Sequence, residues 1–156
     1  MTVYSDVRTD TTQDDPSEFV KANQLGGSLR VARGTFEASS QAVDTIEMFA
    51  LPNGARIVSG RLCHDALGSS TQLAVGHAAY TDADGNAVAA DVDEYKAAAS
   101  SNSAQCVDVA ATLALGAGSE VSIDGADADN EFVVTVTLSG AAGTGTIDLT
   151  MFYVVD

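Results

Sequence analysis

Apolar residues in this chain recur mostly at every second position, the period of a strand with one face toward a core. The stretch that organises the pattern runs from Ala55 to Asn86. In it Val58, Gly60 and Leu62 share one parity, and Leu73, Val75 and Ala79 share another. Leu67-Gly68-Ser69-Ser70 joins the two runs, and Asp82-Ala83-Asp84-Gly85-Asn86 closes the second. Both segments hold residues that tolerate positive φ. Upstream, Leu29, Val31 and Arg33 alternate with Arg30 and Ala32 until Gly34 interrupts, and Thr35 to Ala38 resume. A glycine there predicts a bulge or bend. Thr45 to Leu51 gives another strand, with Ile46, Met48 and Ala50 opposite Glu47 and Phe49, and Leu51-Pro52-Asn53-Gly54 gives a turn.

Downstream, Ala87 to Ala90 extends a strand. Asp91 to Ala99 has acids first, Lys96 late and an alanine run, which predicts a short helix in a connection. Cys106 to Leu115 reads as a strand with Val107, Val109, Ala111, Leu113 and Leu115 on one face; Glu120 to Asp124 is a brief one. The clearest alternation comes last. Phe132, Val134, Val136 and Leu138 form one run, Gly140 to Gly145 a turn, and Ile147, Leu149, Met151, Tyr153 and Val155 a second run. Their proximity predicts a C-terminal hairpin.

The first 27 residues differ in character. Residues 1–14 have no periodicity and read as a flexible arm. Asp15 then suits an N-cap, Pro16 the first helical position and Glu18 the third residue of a capping box. A short helix over Pro16 to Leu25 is expected, stopped by Gly26-Gly27. The division is therefore 1–27, an arm with a short helix, and 28–156, a single β-domain. The expected class is all-β, an antiparallel β-sandwich in its jelly-roll version, with a short N-terminal helix and one more in a connection.

Composition agrees with this and adds one constraint. Of 156 residues 46% are hydrophobic, Trp is absent and aromatics make up 6%, which suits tightly packed strands better than a helical bundle. The formal charge is −15. Such a balance repels phosphates and anionic lipid, so nucleic acid and membrane are not expected partners. The charge is uneven: of seven basic residues only Lys96 lies beyond Arg61, whereas Asp82 to Glu131 holds eleven acids. A less acidic face would then be a place to dock.

Chemistry-bearing motifs are sparse. His64 and His77 are the only histidines, no G-x-S-x-G elbow occurs, and both imidazoles fall on the inward parity. They are expected as histidines satisfied by neighbours, and no enzyme is expected. Cys63-His64 with remote His77 and Cys106 lacks zinc-ligand spacing. The opening stretch Met1 to Asp15 has no apolar run of a secretory signal, so two free thiols in a cytosol-assembled protein are expected. Asp82, Asp84 and Asn86 alternate as in a calcium loop, but Gly85 is fourth rather than sixth and the twelfth residue is Asp93, so a plain turn is expected. No cofactor is expected, since no P-loop or dinucleotide fingerprint occurs.

Two passages carry a resemblance. Leu51-Pro52-Asn53-Gly54-Ala55-Arg56-Ile57-Val58-Ser59-Gly60-Arg61-Leu62, followed by Asp65-Ala66-Leu67-Gly68-Ser69-Ser70-Thr71-Gln72-Leu73-Ala74-Val75-Gly76, resembles a strand–turn–strand pattern of small virion structural proteins of tailed bacteriophages. Gly143 to Val154 is similar to their closing strand, and together these cover about a quarter of the chain. The resemblance implies a capsid-decorating or cement protein: jelly-roll subunits, gathered as trimers, on the outside of a head shell made of the major capsid protein. It implies a virion location after assembly in the host cytoplasm, and no catalytic residue. Partner contact is expected from the arm, through Tyr4, Arg8, Phe19 and Val20, and from the basic set Arg30, Arg33, Arg56 and Arg61. A carbohydrate-binding jelly roll of a tail or fibre is the alternative, though without Trp the supply of sugar-stacking rings is thin.

Overall fold

The computed structural model describes residues 27–110, 119–126 and 130–155. The helix expected over Pro16 to Leu25 lies outside them. Among the described residues eleven strands are formed: β1 (Ser28–Gln41), β2 (Asp44–Leu51), β3 (Arg56–His64), β4 (Gln72–His77), β5 (Tyr80–Thr81), β6 (Ala87–Val88), β7 (Asp91–Ser100), β8 (Gln105–Val109), β9 (Ser119–Glu120), β10 (Phe132–Ser139) and β11 (Gly143–Val155). All pairings are antiparallel. One sheet has the order β1-β11-β3-β8, with β9 also on β3; the second has the order β2-β10-β4-β7; β5 and β6 form a small ribbon. The described residues are an all-β antiparallel sandwich. Among the described strands β1 lies beside β11 in one sheet and β2 beside β10 in the other.

The core is the layer between the sheets. Ile57, Leu62, Ile147, Leu149 and Met151 of the first sheet meet Leu73, Val75, Val134, Val136 and Leu138 of the second, all essentially without solvent contact. Small aliphatic chains fill it, so each strand stays within the sheet-to-sheet spacing set by β-branched and Leu side chains.

Several expectations need correction. The C-terminal runs are both strands, but β10 pairs with β2 and β4 while β11 pairs with β1 and β3, so they form no hairpin. The glycine-rich segment between them crosses from sheet to sheet. Gly140 has φ 85°, and a Cβ there would meet the Ser70 carbonyl. Thr144 N–H donates to the Leu67 carbonyl, and Leu67 N–H to that of Ser101, which ties three crossing loops together at one end of the sandwich. The turn at Leu67–Ser70 is likewise a crossing, since β3 and β4 belong to different sheets.

The helix expected over Asp91 to Ala99 is strand β7. Its alanines and charge order favour a helix locally, but Tyr95 is buried in the core and β4 offers a ladder, and that packing wins. Gly34 marks no bulge: β1 runs through it, and a Cβ there would meet Met48 O at 2.8 Å, so the glycine admits the neighbouring strand. The bulges lie elsewhere. The β11–β3 register steps from Ser59 to Ile57 and leaves Val58 as the extra residue, so Ile57 rather than Val58 joins Gly60 and Leu62 inside. Met48 is the extra residue of β2 in the same way.

Finally, the two thiols are not free. Cys63 and Cys106 face each other directly across β3 and β8, their Cα atoms 4.0 Å apart, and form a disulfide. A separation of 43 residues in sequence gave no hint that the ladder would bring them together.

Candidate functional site

The outward face of the first sheet can be read row by row from the register. Where a strand's even positions face the core its odd positions face out, so partners across the ladder share a face. One row runs Leu29–Val154–Arg56, and the next Val31–Phe152–Ser59. Then come Arg33–Thr150–Arg61–Asp108 and Thr35–Asp148–Cys63–Cys106. The result is a graded surface. Two apolar rows lie at the end where β1 begins, an arginine row follows, and a polar zone holding the disulfide completes it. Leu29 and Val31 are 64% and 56% exposed. These are large values for aliphatic residues that adjoin the half-buried Phe152 and Val154.

Charge on this face is balanced rather than acidic. Arg33 donates through Nε and Nη2 to Asp148 Oδ2 at 2.8 and 2.6 Å, and Thr35 Oγ1 donates to the same oxygen at 2.8 Å. The Arg33 hydrogen bonds, with Thr35 adding to them, hold the Asp148 carboxyl below its usual range. Arg56 Nη2 lies 3.1 Å from Glu120 Oε2. Arg61 is exposed, between Thr150 and Asp108. Three of the four arginines singled out from the sequence therefore share one face. Arg30 does not: it sits opposite Tyr153, on the parity of the inward residues, although it is exposed. Tyr4, Arg8, Phe19 and Val20 lie outside the described residues.

Beside the disulfide, Cys63, His64, Asp65, Gln105, Thr146 and Asp148 line an open cleft of about 340 Å³. Nothing in it is arranged for nucleophilic attack. His64 Nδ1 donates to the Asp65 carbonyl at 2.8 Å, a local bond, and Asp65 Oδ2 accepts the Thr146 N–H, which holds β11 against the end of β3. Among the described residues no group of His, Cys, Asp or Glu is arranged to hold a metal ion. In the Asp82–Asn86 turn the Asp82 carboxylate accepts the backbone N–H groups of Asp84 and Asn86, and those bonds depress its pKa. Its oxygens serve the turn.

The second histidine fastens an edge. His77 is buried, donates from Nδ1 to the Ala78 carbonyl, and has Nε2 2.9 Å from Glu94 Oε2 on β7. Tyr80 and Phe132 pack around the ring at centroid distances of 5.4 and 5.3 Å. The hydrogen bond to Glu94 raises the His77 pKa against the opposing effect of burial. Sequence reasoning placed both histidines as satisfied by neighbours, and they are.

No protein-family model matches the chain, and no curated protein does. Solved structures do share its fold. A chain in the cyanophage Pam1 capsid asymmetric unit is similar with a TM-score of 0.60 at 18% identity, over 93% of this chain and 99% of that one. A chain of the Ralstonia phage GP4 capsid gives 0.61 at 21%, over 83% and 86%. One from the acidic stable capsid of the Helicobacter pylori bacteriophage KHP30 gives 0.54 at 14%, over 83% and 90%. At these identities the likeness is one of fold, and the fold is one that phage capsids contain.

Proposed function

We propose that this chain is a capsid cement or decoration protein of a tailed bacteriophage. Homotrimers of it bind the major capsid protein on the outer surface of the head shell and stabilise the shell without catalysing a reaction. The observation that carries the reading is the shared fold over almost the whole length of chains found in phage capsids. Such a protein joins the virion after shell and subunits have been made in the host cytoplasm. The strand–turn–strand passage from Leu51 to Gly76 and the closing strand point the same way.

The charge supports a position outside the shell, away from packaged nucleic acid. Attachment then rests on shape-matched apolar and hydrogen-bonded contacts, with a small electrostatic share from the arginines of the first sheet. For the carbohydrate-binding alternative the supply of rings is thin, since Trp is absent and Tyr80 and Phe132 pack against His77 and each other.

A salt titration of rebinding to stripped capsids, run beside a mobility shift with DNA, tests this. Exposed ion pairs are weak singly, so affinity for shells changes only modestly with salt. A nucleic-acid binder loses orders of magnitude over the same range. A steep salt slope, or a shift of DNA at physiological salt, overturns the cement reading.

A further inference from the structure

Two exposed regions on different sheets are complementary in chemistry. Among the described residues the exposed large hydrophobics are Leu29, Val31, Val43 and Val92. Leu29 and Val31 belong to the apolar rows described above, with arginines in and beside them. Val92, 43% exposed, lies in the first half of β7, between Asp91 and Asp93 and followed by Glu94. In the second sheet β7 is an outer strand, bonded to β4 on one side only. Its register with β4 shifts between the pairs His77–Asp91 and Val75–Lys96, so Val92, Asp93 and Glu94 form an exposed bulge on this outer strand, while the Tyr95 carbonyl accepts the Ala110 N–H.

A chain of net charge −15 repels a copy of itself across most relative orientations. Repulsion is least in an orientation that sets the apolar, charge-balanced face of the first sheet against the carboxylate-bearing segment around Val92. We infer that the Leu29–Val31–Phe152–Val154 patch of one copy receives the Asp91–Glu94 edge of a second copy. Val92 enters the apolar rows, and Asp93 approaches Arg61. Arg33 and Arg56 already hold Asp148 and Glu120, so Arg61 is the arginine that supplies the cross-chain charge.

Patch and edge are different surfaces, and each copy carries both. Such a head-to-tail contact repeats from copy to copy and is satisfied throughout only when a ring closes. The inference rests on the homotrimer of the preceding subsection and specifies its contact, but it makes no use of the shell.

Sedimentation equilibrium of the full-length chain, free of capsid material, tests it. Wild type associates at micromolar concentration. Val31→Glu and Arg61→Glu each raise the concentration for half-dissociation on the order of tenfold or more. Both positions are exposed, so each variant keeps the circular-dichroism spectrum of the wild-type fold. Asp93→Arg alone weakens association likewise, and Arg61→Glu with Asp93→Arg in the same chain recovers it. Association indifferent to Val31→Glu overturns the contact, as does a double variant no tighter than its singles. A strictly monomeric wild type overturns trimer and contact together. Normal association with no attachment to shells leaves the contact standing and overturns the cement reading alone.

Discussion

Replacing both Cys63 and Cys106 by serine removes the covalent link between β3 and β8, and its cost can be worked from the position of the bond. The two residues are 43 apart. Closing a loop of that size lowers unfolded-state entropy enough to stabilise the fold by ~4 kcal/mol, in the chain-entropy model. Little packing offsets or adds to this, because Cys106 is exposed and Cys63 only half buried, on the outer face. For a domain of this size a loss of ~4 kcal/mol corresponds to a fall in Tm of roughly 8–16 °C. The strand released is a sensitive one: β8 has five residues, lies at the sheet edge and contributes Val109 to the core. Calorimetry of the oxidised protein, of the same protein with reductant, and of the double serine variant measures the effect. Reduced and serine forms should melt together, well below the oxidised form. Alkylation followed by mass spectrometry establishes the redox state before each scan. Oxidised and reduced melts within about 2 °C of each other refute the entropic argument. Two alkylatable thiols in protein folded under oxidising conditions refute the disulfide itself.

Three further outcomes are expected. The His77–Glu94 pair raises the folded-state pKa of His77 above its ordinary 6.5, so its stabilisation is complete below about pH 6.5 and is lost as pH rises through the folded value. Urea unfolding at about pH 6 and pH 9 should show wild type losing on the order of 1 kcal/mol more than Glu94→Gln; equal losses would remove the pair from the account. Gly76→Ala places a Cβ against the Asp91 carbonyl and the Val92 backbone, which costs roughly 1–3 kcal/mol by chemical denaturation and speeds amide exchange along β7; an unchanged midpoint would contradict the close approach. Deleting residues 1–27 should leave the β-domain folded by circular dichroism while weakening attachment to shells or to a neighbouring copy; an unfolded product would make the arm part of the core, and undiminished attachment would make it idle.

Strands were legible in the sequence because alternation is a local signal, whereas partners were not, because most consecutive long strands lie in different sheets, β4 and β7 being the exception. Phe132 to Leu138 and Ile147 to Val155 looked like a hairpin for that reason, and only the tying of Leu67, Ser101 and Thr144 shows why the chain crosses instead. Bulges hide in the same way: nothing near Val58 announces that Ile57 takes the inward place. The Asp91–Ala99 stretch misleads because its intrinsic preference is helical, and the burial of Tyr95 that overrides it is a tertiary fact. The arginines illustrate both sides. Parity alone separates Arg33 from Arg30, but the alignment of Arg33 with Arg61 across β11 depends on registers between strands remote in sequence. The disulfide depends on the register of β3 with β8 for the same reason.

Attachment of the protein to the outside of a phage head is open to direct observation. Purified full-length protein added to head shells stripped of their surface proteins, then sedimented and imaged by electron cryomicroscopy, tests it directly. Saturable co-sedimentation and added density in threefold clusters on the outer surface are expected. Protein left wholly in the supernatant at concentrations where it self-associates, or density confined to the shell interior or the tail, would contradict it.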